Sequence, residues 1–218
     1  MLLLVLLVVL FICFYIIHNN EKFENNENNE YIIVCAKYKN DVSFLDELKI
    51  PYKVITKEVV PNKAAEASSY LYYIIHNYDN LPENTIFIHD HNESWHHDGK
   101  ITEEMTKYIN NDEKNNKKYY SLNNKIVNIS DQLDNEIFII FWNDIMKESY
   151  GEFKDAQPKD IFCCAQFIVS KKTIKNHPKE FYIKYYNWLI NNTNEDIFLY
   201  SSYMTGRYAE WTWHFVFS

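Results

Sequence analysis

Four of the eight histidines of this chain lie between His89 and His97, in the run His89-Asp90-His91-Asn92-Glu93-Ser94-Trp95-His96-His97, with Asp98 next. Imidazole titrates near neutral pH and is a frequent metal ligand, and a carboxylate beside it adds a charged oxygen. Such a set could hold a divalent ion or move protons. Imidazole suits Zn, Mn, Fe or Cu better than Mg or Ca. His89 and His91 are two residues apart, so on an extended chain they share one face and Asp90 takes the other. The tract follows Thr85-Ile86-Phe87-Ile88, an apolar run that reads as a buried strand. Open α/β sheets bind ligands at the carboxyl ends of their strands. A His-rich polar loop is the plainer reading; the position at a strand end favours a site.

Three further groups carry chemistry. In Arg207-Tyr208-Ala209-Glu210-Trp211-Thr212-Trp213-His214, Glu210 and His214 would be i and i+4 neighbours on a helix, a base or a metal pair. The competing pattern is a strand edge, with Trp211, Trp213, Phe215 and Phe217 alternating against Glu210 and His214. Asp41 follows Lys37-Tyr38-Lys39-Asn40 at the end of the first strand, where α/β folds often hold a nucleotide. No Gly-rich phosphate loop accompanies it. Asn62, Lys63 and Glu66 stand at the start of a long helix, whose N-terminus favours an anion; capping is the simpler role for Asn62. Cys163-Cys164 sits in an apolar run without an adjacent base, which disfavours a cysteine nucleophile.

The elements that must position these groups alternate between strand and helix. Tyr31–Ala36 is a continuous apolar run, the mark of a strand buried on both faces. Tyr52–Thr56 and Thr85–Ile88 read as further strands, and Ile161–Ser170 as one more. A helix over 63–78 repeats Ala67, Tyr70, Leu71, Ile74, Ile75 and Tyr78 at three- and four-residue spacing. Helices are also predicted over 102–110, 171–176 and 180–190, and a short turn over Ser43–Leu48. Ile137–Trp142 fits a strand or a buried helix, which periodicity does not separate. The pattern predicts a single α/β domain with a mixed, mostly parallel sheet flanked by helices.

Composition narrows the function. The chain has 218 residues, a net charge of −8, 18 Tyr, 14 Phe and 5 Trp, and Arg207 as its one arginine. Without a basic stripe, nucleic-acid binding is not expected. Residues 1–17 are apolar and followed by a polar Asn/Glu-rich linker, 18–30, leaving 31–218 as the folded domain. With no small-residue cleavage site, the first segment favours an uncleaved single-pass signal anchor over a cleaved signal, with the domain lumenal or exterior. Of the four cysteines, Cys13 lies in that segment, and Cys35, Cys163 and Cys164 lie in apolar runs that suit free thiols, so no disulfide is assigned.

Five stretches together resemble the uncharacterised family called domain of unknown function 3431, found in fungi and some large DNA viruses. They are Ile32–Leu45 (IIVCAKYKNDVSFL), Val60–Pro82 (VPNKAAEASSYLYYIIHNYDNLP), Thr85–His91 (TIFIHDH), Cys163–Tyr182 (CCAQFIVSKKTIKNHPKEFY) and Arg207–Phe217 (RYAEWTWHFVF). Where the resemblance leads to a Gly-Arg pair after Asn62-Lys63, this chain has Ala64-Ala65, so a phosphate contact from that arginine is not carried over. The layout also looks like the GT-A (Rossmann-like) class of glycosyltransferases. That likeness implies a metal-binding acidic motif at a strand end, here His89-Asp90-His91, and a later strand and turn shaping donor and acceptor sites, here Cys164–Ser170 with Gln166. It further implies a catalytic carboxylate, Glu210, and a C-terminal metal-binding His, His214. His-Asp-His departs from the Asp-x-Asp of that class.

The expectation is a membrane-anchored, GT-A-like glycosyltransferase that moves a sugar from a nucleotide-sugar donor to a glycan or protein acceptor. Asp90 with His89, His91 or His214 would hold Mn or Zn, Glu210 would be the general base, and Asp41, Asn62, Lys63 and Gln166 would contact the donor. Two alternatives stand beside it: a zinc-type metal-dependent hydrolase, and a non-catalytic carbohydrate-binding or structural module.

Overall fold

A computed structural model describes residues 30–111 and 118–217. The expected signal anchor, nearly all of the linker and most of the Asn/Lys loop after the second helix lie outside the described residues. Among the described residues no helix is long and apolar enough to cross a membrane.

The described residues form seven strands: β1 (Tyr31–Ala36), β2 (Tyr52–Ile55), β3 (Asn84–His89), β4 (Tyr119–Ser121), β5 (Ile126–Asn128), β6 (Asp160–Phe162) and β7 (Phe167–Ser170). Its helices are α1 (Ala67–Asn77), α2 (Ile101–Ile109), α3 (Glu136–Ile145), α4 (Lys147–Tyr150), α5 (Lys171–Ile174), α6 (Lys179–Asn192), α7 (Ser202–Glu210) and α8 (Trp213–Phe217). Five strands pair in the order β2-β1-β3-β7-β4. β1 is parallel to β2 and β3, whereas β7 is antiparallel to β3 and β4. Four strands therefore run one way and β7 alone runs against them, a mixed, mostly parallel sheet in a single α/β domain. β5 and β6 make a separate antiparallel ribbon.

The two-residue strand period sorts the core into two layers. Ile32, Val34 and Ala36 of β1, with Phe87, Phe167 and Val169, face a large aromatic layer built with α1, α3, α6, α7 and α8. Ile33 and Cys35, with Ile86, Ile88 and Ile168, face a smaller layer closed by α2 and the 3-10 turn at Ser43–Leu48. All six β1 residues are buried, as a strand covered on both faces requires.

One open alternative is decided and two local expectations are revised. Ile137–Trp142 is helical: Asn135 Oδ1 accepts the Phe138 N–H at 3.0 Å and starts α3. Asn62 does not cap the long helix, because Ala64 and Ala65 take left-handed backbone at φ 55° and 50° and delay α1 to Ala67. Ile161–Ser170 is not one strand. It breaks after Phe162, Cys164 turns to φ 63°, and the chain re-enters as β7 in the other sheet.

Candidate functional site

β1 and β3 end side by side, with Ala36 opposite His89. Beyond them opens a cleft of about 920 Å³. Its floor is Ala36, His89 and Asp90; one wall carries Lys37, Tyr38 and Lys57; the other is the start of α1, with Asn62, Ala65, Glu66, Ser68 and Ser69. A second hollow of about 550 Å³ lies alongside, lined among others by Cys163, Cys164, Arg207, Glu210 and Trp211. Ala65, Glu66, Trp95 and Tyr203 line both, so the two hollows meet there.

Asp90 is 2% exposed and is committed to the chain itself. Its Oδ2 accepts the backbone N–H groups of Tyr38, Lys39 and Asn40 at 2.9, 2.8 and 2.7 Å, and Oδ1 accepts the Asn40 side chain at 3.2 Å. Burial works to raise its pKa, but these donors outweigh it and hold the carboxyl below its usual range. The oxygen expected to bind a cation is already saturated by donors.

The histidines pack as a row of rings. His89 Nδ1 lies 3.2 Å from His91 Nδ1, an N–H···N pairing in which one ring donates. His89 and His96 ring centres are 5.1 Å apart. His96 Nδ1 is 2.7 Å from Asn123 Oδ1, which also accepts from Gln166 Nε2 at 3.3 Å, so His96 carries its proton on Nδ1. Gln166 Oε1 accepts the His89 N–H at 3.4 Å. Gln166 is thus buried behind the cleft and positions the tract rather than touching a ligand. Burial, then the neighbouring His96 and His91, push His89 down to about 3, so its ring is neutral.

The remaining expected residues separate. Asp41 is exposed, accepts a bond from Ser43 Oγ and lines neither hollow. Asn62 lines the larger cleft, but Lys63 turns away and donates to the Ile190 carbonyl at 2.8 Å. His214 also lines neither hollow; it sits behind Glu210 on α8, its ring 3.9 Å from that of Phe215. Neither Glu210, which lines only the smaller hollow, nor His214 reaches His89–His91, which lie in the larger one. Among the described residues, the potential metal ligands that gather within 4.8 Å are Cys163, Cys164 and Glu210, not His89, Asp90, His91 and His214.

A family model described as Protein of unknown function (DUF3431) matches residues 32–218. The chain belongs to the DUF3431 family. No curated protein and no solved structure matches it.

In this DUF3431 domain two carboxyls with raised pKa, Glu210 and Glu66, lie at the junction of the hollows. Burial raises Glu210, against the Cys164 N–H bonded to its Oε1 and the charge of Arg207. Burial, then the charge of Glu210, pushes Glu66 up to about 8. Both carboxyls are thus held above their ordinary range, Glu66 to about 8 and so protonated near neutral pH, on either side of one junction. Glu66 stood in the sequence only as a companion of Asn62 and Lys63. Lys57, in the cleft wall, and Asn123, behind His96, carry no sequence signal, because each comes from a loop with no local pattern. Trp95, 71% exposed, presents an apolar surface where the hollows meet.

Proposed function

We propose that the domain transfers a glycosyl group from a nucleotide-sugar donor in the larger cleft to an acceptor hydroxyl in the smaller one. The observation that carries this reading is the junction itself: two hollows meeting at Glu66, with Glu210 on the acceptor side. The larger cleft suits an anionic donor, with Lys37, Lys57 and the start of α1 on its walls. Tyr38, Tyr203 and Trp95 offer ring faces for a base or a sugar. Glu210 takes the proton of the acceptor hydroxyl as that oxygen attacks the anomeric carbon. The bond to the diphosphate breaks, and the two lysines and the α1 N-terminus stabilise the charge that develops on it.

The donor set at His89–His91 does not fit a cation bound through Asp90, whose oxygens are engaged by Tyr38, Lys39 and Asn40. The transfer is therefore derived without one. Membrane attachment through residues 1–17 remains part of this reading, with a glycan or protein as acceptor.

The test is a thermal-shift and turnover screen of the full chain in detergent against sugar nucleotides, with and without Mn²⁺ or Zn²⁺. Ligand that binds only the folded state raises its melting temperature. The expected result is stabilisation by a sugar nucleotide without a metal requirement, and a Glu210→Gln variant that still binds donor but loses about 10²–10⁴ in kcat. Equal turnover in Glu210→Gln would refute the assignment. Donor-sugar binding with no turnover in either form would favour the non-catalytic carbohydrate module, for which exposed Trp95 is the specific support.

A further inference from the structure

Side chains on adjacent residues of a strand point to opposite faces. Cys163 and Cys164 break that rule, because the chain leaves β6 just before them and Cys164 turns to φ 63°. Their Sγ atoms come to 2.6 Å of each other. Both line the 550 Å³ hollow, with Cys163 only 4% exposed and Cys164 more open. The Cys164 N–H, which belongs to the peptide unit joining the two cysteines, donates to Glu210 Oε1. Cys35, the other described cysteine, is buried in β1 and also free.

We propose that Cys163 and Cys164 are a redox-active vicinal dithiol that closes to a disulfide by exchange with a small-molecule disulfide, and that closure loosens the Cys164 hold on Glu210. One cysteine sulfur, as thiolate, attacks a sulfur of the incoming disulfide and expels one thiol. The second cysteine, losing its proton, attacks the resulting mixed disulfide and expels the other thiol. The incoming disulfide is reduced to two thiols, and the cysteine pair is oxidised. The Cys164 S–H donates to Cys163, which lowers the Cys163 thiol and raises that of Cys164, so Cys163 is the first attacker.

Adjacent Cα atoms are about 3.8 Å apart, below the roughly 4.4–6.8 Å that bridged cysteines usually span. A vicinal bridge is therefore strained, and strained bridges are the easily reduced, switching kind rather than the structural kind. The ring that closes contains the peptide unit whose N–H holds Glu210. Forming it reorients that donor. Bridge formation is independent of the transfer reading; its effect on catalysis rests on Glu210 being the base.

The experiment equilibrates the full chain in detergent with glutathione mixtures from fully reduced to fully oxidised. Free thiols are then blocked with N-ethylmaleimide, and the tryptic peptide Asp160–Lys171 is weighed. The expected product is a peptide lighter by two hydrogens, unalkylated, and restored by dithiothreitol, while Cys164→Ser stops at glutathione on Cys163. Alkylation of both cysteines at every ratio, or a glutathione adduct as the wild-type end product, overturns the bridge. A carboxyl-¹³C NMR titration of Glu210, assigned with Glu210→Gln, reads the second half. An upward shift of its midpoint on oxidation supports the coupling, and an unchanged midpoint overturns it. Absent transferase turnover in both redox forms would count against the catalytic reading alone.

Discussion

Asp90 and Asn40 are joined twice: Oδ2 accepts the Asn40 backbone N–H at 2.7 Å, and Oδ1 accepts its side-chain amide at 3.2 Å. With Tyr38 and Lys39 on the same Oδ2, one carboxylate fixes the loop that forms the lysine-bearing wall of the cleft. Asp90 shapes the site by holding Tyr38, Lys39 and Asn40 in place. An Asp90→Asn variant loses the charge that these donors answer and should fall in stability by about 2–3 kcal/mol. Urea unfolding reads it directly, and an unshifted midpoint would contradict the role. The pH sign follows from a folded pKa below the ordinary value of 3.8. The stabilisation is present above that value and is lost as pH falls through the folded pKa.

Glu66 behaves in the opposite sense. Its folded pKa is pushed up to about 8 from an ordinary 4.5. Between those values the folded state holds more protons than the unfolded one, so stability falls as pH rises. Glu66→Gln should flatten that decline between about pH 4.5 and 8 in a series of urea melts. It should also remove the alkaline limb of any transferase pH profile, because the buried carboxyl whose charge would build up beside Glu210 no longer titrates. A variant that declines as steeply as the parent would show that Glu66 is ionised throughout.

Much of the fold was legible where burial is written into one continuous stretch. β1 and β3 are unbroken apolar runs, and α1 repeats Tyr70, Leu71 and Ile74 at helical spacing. The sites of failure share a physical cause: the backbone departs from what the side chains prefer. Ala64, Ala65 and Cys164 all adopt left-handed φ without being glycine, so no residue type announced the late start of α1 or the break between β6 and β7. The candidate site was half legible for a related reason. A strand end points to a site, but whether Asp90 faces a ligand or three backbone N–H groups depends on a loop fifty residues away. Glu210 was marked in the sequence by its helical spacing to His214 and by the likeness, and its nearness to Glu66 is visible only in the fold, where α7 packs against the Ala64–Ala65 turn.

That packing makes a second stability prediction. A Cβ on Gly206 of α7 would lie 2.8 Å from Ala65 Cβ and 3.2 Å from the Ala64 carbonyl carbon. Backbone cannot swing aside as a long side chain can. Gly206→Ala should cost about 1–3 kcal/mol by overpacking. Ala64→Gly should act oppositely and stabilise, since left-handed backbone costs a non-glycine residue about 1–2 kcal/mol, partly offset by the freedom glycine gains when unfolded. Thermal melts of the two variants should move in opposite directions, and a shared direction would mean that the Ala64–Ala65 turn is not strained against α7.

His214 gives the acid side of the profile. Neither ring nitrogen has a hydrogen-bond partner in good geometry among the described residues. Burial lowers its pKa to about 4, against a weaker pull from the Pro158 carbonyl. A base whose folded pKa lies below its ordinary 6.5 favours the folded state above that pH, and the advantage drains away as pH falls toward 4. Protonating the ring puts an unpaired charge beside Phe215, so folding must exclude the proton. His214→Phe keeps the ring volume and removes the titration. The variant should match or exceed the parent at pH 7 and lose less stability between pH 6.5 and 4, with the remaining loss shared by His89, His96, His97 and His177, which burial also lowers. If His214 instead held a metal, His214→Phe would abolish a metal-induced rise in melting temperature and leave the acid slope unchanged; the buried, unpartnered ring predicts the reverse on both measurements.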